Sequence, residues 1–239
     1  MLSKNEIKDI QSLSLKKFRD ELNWFVAEGP KIVNELIQII PQQIERIYAT
    51  AEWLQSNQSN KIDLFEISEA ELQRISHLQT PNQVVAIIKK LSSKRPDASS
   101  FTLYLDTVQD PGNFGTIVRI ADWFGVKNIV CSKGCADLYN PKVVQSTMAS
   151  IARVNIYYDE ADNWLKQQSV PVFAATLHGK NLSSYSKIEK GILIIGNESK
   201  GVRNEVLQYA TEQITIPKKG EAESLNAAVA TGIILSHLL

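Results

Sequence analysis

The chain has 239 residues, enough for two modest domains or one large one, and its hydrophobic fraction of 44% is that of an ordinary folded protein. Basic and acidic side chains balance at 26 each, and residues 1–99 balance too, with 13 of each sign. That balance argues against a broad basic face gripping nucleic acid. No apolar run reaches membrane-spanning length and the N-terminal MLSKNEIKDIQ lacks a signal-peptide core, so a soluble cytoplasmic protein with no membrane partner is expected. Cys131 and Cys135 have no nearby histidine, so they read as small apolar residues near a strand end, and no metal site is expected.

In chain order, Ile7, Ile10, Leu13, Leu15 and Phe18 recur at helical spacing and predict a helix over residues 3–20. Trp24-Phe25-Val26 predicts a strand and Glu28-Gly29-Pro30 a turn. Pro30 opens a helix that carries Ile32, Val33, Leu36, Ile37 and Ile40 and stops at Pro41. Strands follow at 44–50 and 62–67, with a short helix at 51–57 between them. Ser68 and Glu71 form a capping box for the next helix, and Val84 to Ile88 is a buried strand. This alternation suffices for a small three-layer domain. LSSKRPDASS is polar and aperiodic, a linker.

The second half predicts strands at 101–105, 128–131, 154–158, 172–176, 192–195 and 214–216. Helices are predicted at 114–124, 141–149, 161–168, 204–210 and from about Leu225 to the end. Such alternation gives an α/β fold with a mostly parallel sheet covered on both faces. The last helix, VATGIILSHLL, is apolar nearly all round, so it is buried in its own core or against a second subunit.

Two polar loops stand out. GILIIGNESKG is an apolar strand running into a glycine-bounded loop, and ITIPKKGEAESLNAAVA is a strand, a charged loop and a helix start. Loops leaving the carboxyl ends of buried strands form a ligand crevice, and Gly196, Gly201 and Gly220 allow close backbone approach there. Upstream, DPGNFGTIVRIADWFG carries Asn113 and Arg119 six positions apart. These three motifs, in this order, resemble the signatures of the SpoU/TrmH family of the SPOUT superfamily. Those proteins are S-adenosylmethionine-dependent RNA ribose 2′-O-methyltransferases with a C-terminal trefoil knot; knots are exceptions among folds and are not legible in periodicity.

The resemblance implies a substrate (RNA)-binding α/β domain over 1–92, a linker over 93–100 and a trefoil-knot methyltransferase domain over 101–239. FVAEGPKIVNELI resembles the start of the family's N-terminal substrate-binding domain, and TPNQVVAI departs from it in having Val84 where relatives show glycine. The implied cofactor is S-adenosyl-L-methionine, bound by Thr176, Leu177, Gly196, Asn197, Gly201, Ile216, Pro217, Ser224 and Leu225, with Ala175 lining the same pocket. The implied catalytic set is Asn113, Arg119, Glu198, Ser224 and Asn226. The implied partners are ribosomal or transfer RNA and a second copy, paired through the C-terminal domain.

Each residue also has a plainer reading. Arg119 on an apolar helix is either a surface arginine or a guanidinium that clamps the target phosphate and stabilises developing alkoxide charge; a guanidinium stays protonated and makes a poor base. Asn113 caps its helix, contacts the ribose or phosphate, or does both. Glu198 is a solvated loop carboxylate or one that orients Arg119 or the loop. Ser224 caps the last helix or faces the target ribose, and Asn226 holds the motif loops together. RNA contacts must come from local clusters such as Lys16, Lys17 and Arg19, or Lys89, Lys90, Lys94 and Arg95, each of which also reads as a solvated element end. His77, His178 and His237 belong to no motif, and Gly112-x-x-Gly115 lacks the residues of a phosphate loop. The competing functions are a non-catalytic RNA-binding relative, which the neutral charge favours and the intact motif set opposes, and a general nucleotide-binding enzyme, for which no phosphate loop or triad exists.

Overall fold

The computed structural model describes residues 2–57 and 62–239. By contacts the chain divides into two compact units, Met1–Ser92 with Asp137–Ala152, and Ser93–Ala136 with Arg153–Leu239. In chain order the first part holds α1 (Lys4–Ser12), α2 (Lys16–Leu22), β1 (Trp24–Glu28), α3 (Pro30–Ile39), β2 (Ile44–Ala49), α4 (Ala51–Ser56), β3 (Leu64–Glu66), α5 (Glu69–Ile75) and β4 (Val84–Lys89). The remainder holds β5 (Thr102–Leu105), α6 (Pro111–Trp123), β6 (Asn128–Ser132), α7 (Pro141–Thr147), β7 (Asn155–Asp159), β8 (Val172–Asn181), β9 (Ile192–Ile195), α8 (Asn204–Leu207), β10 (Glu212–Thr215) and α9 (Ala227–Leu238).

The first unit is a four-stranded sheet in the order β1-β4-β2-β3, with β4 antiparallel to β1 and β2. Val26, Tyr48, Val85 and Ile87 on one face bury Ile7, Ile10 and Leu13 of the first helical segment and Leu72 and Ile75 of α5. The predicted helix over 3–20 is two helices. Leu15 has extended backbone as the N-cap of α2, and the Leu13 carbonyl accepts from Arg19 Nη1 at 2.7 Å instead of continuing a helical ladder. Arg19 itself is 2% exposed and pairs with Asp137 at 2.5 Å, so the 137–152 segment supplies its counter-charge. Phe25 of β1 also meets Tyr139 of that segment, ring centroids 4.9 Å apart. The expected capping box of Ser68 with Glu71 is present, and a second, unforeseen one joins Ser3 with Glu6 at the start of α1.

The second unit is a six-stranded, wholly parallel sheet in the order β10-β8-β9-β5-β6-β7. Its central strands β5 and β9 are buried along their whole length, as continuous apolar runs require. Residues 93–100 form no helix or strand but are tied down: Ser93 Oγ donates to Ile156 O at 2.6 Å, and Trp164 Nε1 to Pro96 O at 2.7 Å. The helix predicted at 161–168 shrinks to a single tight turn, Leu165–Gln167. Asp162 there takes positive φ, and the Asp159 carboxylate captures the Trp164 amide at 2.7 Å. The helix predicted to Ala149 ends at Thr147, because Met148 and Ala149 adopt left-handed backbone. The helix predicted over 204–210 stops at Leu207. The strand predicted to end at Thr176 runs to Asn181, but its pairing with β10 jumps. Gln213 faces Ala174 and the next residue, Ile214, faces Lys180, so Ala175–Gly179 form an excursion from the ladder.

Candidate functional site

In the parallel sheet, β5 leads by way of α6 to β6 on one side, whereas β9 leads by way of α8 to β10 on the other. The loops after β5 and β9 therefore diverge, and the crevice between them is the topological switch point where open α/β sheets bind ligands. The loops after β8 and β10 leave the same end of the sheet, since all six strands run in parallel.

The structure joins three of the motif residues across this crevice. Asp110 caps α6, accepting the Asn113 amide at 2.8 Å, and Pro111 takes the first turn. Asn113 is therefore not the cap, and its side chain is free to reach outward. Its Nδ2 donates to Glu198 Oε1 at 3.0 Å, and its Oδ1 accepts from Asn226 Nδ2 at 2.7 Å. Asn226, not Ser224, caps α9: its Oδ1 accepts the Ala228 and Val229 amides at 2.9 and 3.2 Å. One hydrogen-bond chain thus ties the loops after β5, β9 and β10, and the double engagement of each amide fixes which end is oxygen.

Glu198 is engaged by Asn113 and makes no bond to Arg119. Arg119 is exposed and has no hydrogen bond or ion pair among the described residues. The reason is helical phase. Ile117, Val118 and Ala121 face the core, which leaves Thr116, Arg119 and Trp123 on the opposite stripe. Ser224 is likewise exposed, as are Pro217 and Leu225, the last at 49%; Ile216 is half-buried at the end of β10.

The loop after β9 is held shut. Asn197 and Gly201 exchange two backbone hydrogen bonds of 3.0 and 2.9 Å, and Gly201 has φ +70°. A Cβ at Gly196 would lie 2.4 Å from the Gly201 carbonyl carbon and the Val202 nitrogen, so only glycine fits. The Asn197 side chain serves the same loop: Oδ1 accepts the Ser199 and Lys200 amides, and Nδ2 donates to Thr107 O at 2.8 Å. Gly220, by contrast, sits in open space. On the Ala175–Gly179 excursion, Thr176 Oγ1 is buried without a partner among the described residues, while Leu177 is 63% exposed.

Beneath the crevice lies a cluster that sequence reasoning missed. Asp106, fully buried at the end of β5, accepts from Arg203 N at 2.8 Å, from Arg203 Nε at 2.7 Å and from Ser132 Oγ at 3.1 Å. Burial works against the Arg203 charge, but Asp106 and Asp162 outweigh it and hold the guanidinium above its ordinary pKa. The available signal was a charged residue set directly after the apolar run of β5.

Within the basic clusters three members are ion-paired, Lys89 with Glu45, Lys90 with Asp20 and Arg19 with Asp137, and Arg95 donates to the neutral amides of Asn163 and Gln167. His77 bonds to Glu28, and His237 lies against the Tyr185 carbonyl. No described helix is long and apolar enough to cross a membrane.

Comparison with known proteins places the chain in a family. Residues 100–236 match the SpoU rRNA Methylase family, and residues 4–86 match the MRM3-like substrate binding domain. The chain is similar to the 23S rRNA (guanosine(2553)-2'-O)-methyltransferase of Bacillus subtilis, 34% identical over 99% of this chain and 97% of that one. Among solved structures it is similar to a TrmH-family protein from Porphyromonas gingivalis (TM-score 0.89, 36% identity, 99% of this chain and 97% of that one). A second is an AdoMet-bound rRNA methyltransferase from Sinorhizobium meliloti (TM-score 0.84, 31% identity, 98% and 94%). With the family match spanning the whole parallel sheet and all three motif loops, the chain belongs to the SpoU rRNA Methylase family.

Proposed function

We propose that this protein transfers the methyl group of S-adenosylmethionine to a ribose 2′-hydroxyl of RNA, with ribosomal RNA the first substrate to test and transfer RNA the second. The observation that carries this reading is the Glu198–Asn113–Asn226 chain, which ties three loops around the switch point of a parallel sheet. The residues present suit the cofactor. Thr176 Oγ1 is a buried hydroxyl in need of a partner, and Leu177 and Leu225 offer exposed apolar surface for a purine. Backbone groups at Gly196, Gly201, Ile216 and Pro217 complete the candidate binding set, with Asn197 acting through the loop shape that its side chain holds and Ser224 at the loop's exit. When bound, the sulfonium supplies an electrophilic methyl group.

The acceptor side falls to the remaining motif residues. Arg119, exposed and unpaired, is free to clamp an RNA phosphate and to stabilise charge developing on the ribose oxygen. Glu198 and Asn226 hold Asn113 so that its amide stands at the crevice in one orientation. The first unit presents the RNA. The trefoil knot implied by the motifs belongs to this reading as well. It fits the crowding of Gly179, whose Cβ would lie 2.5 Å from the Gln213 carbonyl. So does a homodimer: α6 and α9 leave Trp123 84% exposed, Val229 51% and Ile233 40%, an apolar face of the kind a second copy covers. A cytoplasmic site of action belongs to the same reading.

The test is calorimetric titration with S-adenosylmethionine, followed by ribose-methylation mapping of rRNA incubated with the protein. Cofactor binding and one new 2′-O-methyl site are expected. No binding would favour a non-catalytic RNA-binding protein instead. Arg119→Lys should keep cofactor affinity and lose most turnover; near-normal turnover would remove Arg119 from the mechanism.

A further inference from the structure

We infer that Asp106 and Arg203 are a positioning pair that sets where Gly196 and Glu198 stand, an inference that rests on the methyltransfer reading above. The residues between them form a closed circuit. Asp106 N donates to Ile195 O at 2.8 Å, immediately before Gly196. Its carboxylate takes both the backbone amide and the side-chain Nε of Arg203, just past the far end of the same loop. Ser132 Oγ donates to Asp106 and accepts the Thr107 amide at 2.9 Å. Thr107, at the uncommon φ of +55°, then offers its carbonyl to Asn197 Nδ2. Both ends of the 196–203 loop are thus referred to two consecutive residues at the tip of β5, the strand that also leads to Asn113.

The alternative is that the pair is a stability device. Buried ion pairs are weak contributors to stability, because desolvation offsets the attraction; apolar residues of similar volume often do as well. What a carboxylate gripping one residue by backbone and side chain supplies is geometry. The groups packed around it argue the same way. Asp159 and Asp162 are the neighbouring carboxylates, Tyr104 is the neighbouring phenol, and among the described residues Arg203 is the cation bonded to Asp106 and Asp162. Bonds to both Asp106 and Asp162 fix the guanidinium between two carboxylates.

The experiment compares wild type, Arg203→Gln and Arg203→Lys by cofactor titration, steady-state kinetics on rRNA and thermal melting. Arg203→Gln should weaken cofactor affinity about tenfold and lower kcat up to about a hundredfold, as an ångström-scale displacement does. KM for RNA should stay within about twofold, since unit 1 is untouched. Arg203→Lys, which keeps the charge and the backbone amide but not the planar guanidinium's simultaneous bonds to Asp106 and Asp162, should fall between the two. Arg203→Gln with wild-type cofactor affinity and kcat would overturn the inference. So would a parallel loss of kcat, RNA KM and melting temperature, which is what a purely structural pair produces. If Arg203→Gln does not fold, Arg203→Lys carries the test, and wild-type kinetics in it overturn the inference. Wild-type protein that binds no cofactor would overturn the methyltransfer reading itself, which separates the two failures.

Discussion

Gly196→Ala is the sharpest probe of the crevice. The added methyl would stand 2.4 Å from two backbone atoms, where ordinary contact begins at 3.4 Å, so the 197–202 backbone must retreat by about 1 Å. No side chain can rotate away to relieve it, because the obstructing atoms belong to Gly201 and Val202. The retreat breaks the paired Asn197–Gly201 hydrogen bonds, worth roughly 1–3 kcal/mol together. That should lower the melting temperature by about 2–4 °C per kcal/mol for a chain of this size. It also shifts Glu198 relative to Asn113, and a 1 Å misplacement at a reacting centre costs about a hundredfold in rate. The assay is methyl transfer to rRNA alongside cofactor calorimetry and a thermal melt. An alanine variant with unchanged turnover and melting temperature would refute the reasoning, since it would show the loop free to move without consequence.

Three further outcomes are expected. Asn226→Asp keeps an oxygen to cap α9 but loses the donor to Asn113 Oδ1, so melting should barely change while turnover falls roughly tenfold; equal losses in both would make Asn226 a cap and nothing more. Trp123→Glu with Ile233→Glu should yield a monomer in sedimentation where the natural chain is a dimer; a dimeric variant, or a natural monomer, rules out the α6–α9 face. The Ser68 amide first, and the Leu2 amide next, hold the Glu71 carboxyl down to about 2 from its ordinary 4.5. A lowered folded value means its contribution is complete above 4.5 and fades as pH falls toward 2. The melting gap between the natural chain and Glu71→Gln should therefore close on acidification; a gap that persists in acid contradicts the capping account.

Legibility from sequence followed the physics of each signal. Strands β5 and β9 were plain because a fully buried parallel strand is an unbroken apolar run, and α5 because its capping box is local. The helix expected at 161–168 failed because tertiary partners overrode periodicity: Trp164 went wholly into the core and Asp159 took its amide. The site divided in the same way. The resemblance of three motifs to a known family implied Asn113, Glu198 and Asn226, and these do meet. Which residue caps each helix was not readable, since Asp110 and Asn226 outcompeted Asn113 and Ser224 only through the final loop geometry. Arg203 escaped notice because its partner lies ninety-seven positions away, and only the folded sheet brings strand ends together.

The Asp137–Ala152 segment bears on how such proteins can be cut and recombined. Its sequence position assigns it to the catalytic half, yet it neutralises Arg19 and packs Tyr139 against Phe25. A fragment ending at Ser92 would carry a desolvated guanidinium with no counter-ion and a bared aromatic ring, a recipe for insolubility. Exchanging the amino-terminal module between homologues therefore calls for transplanting this internal stretch with it, or for matching its acid and its tyrosine in the recipient.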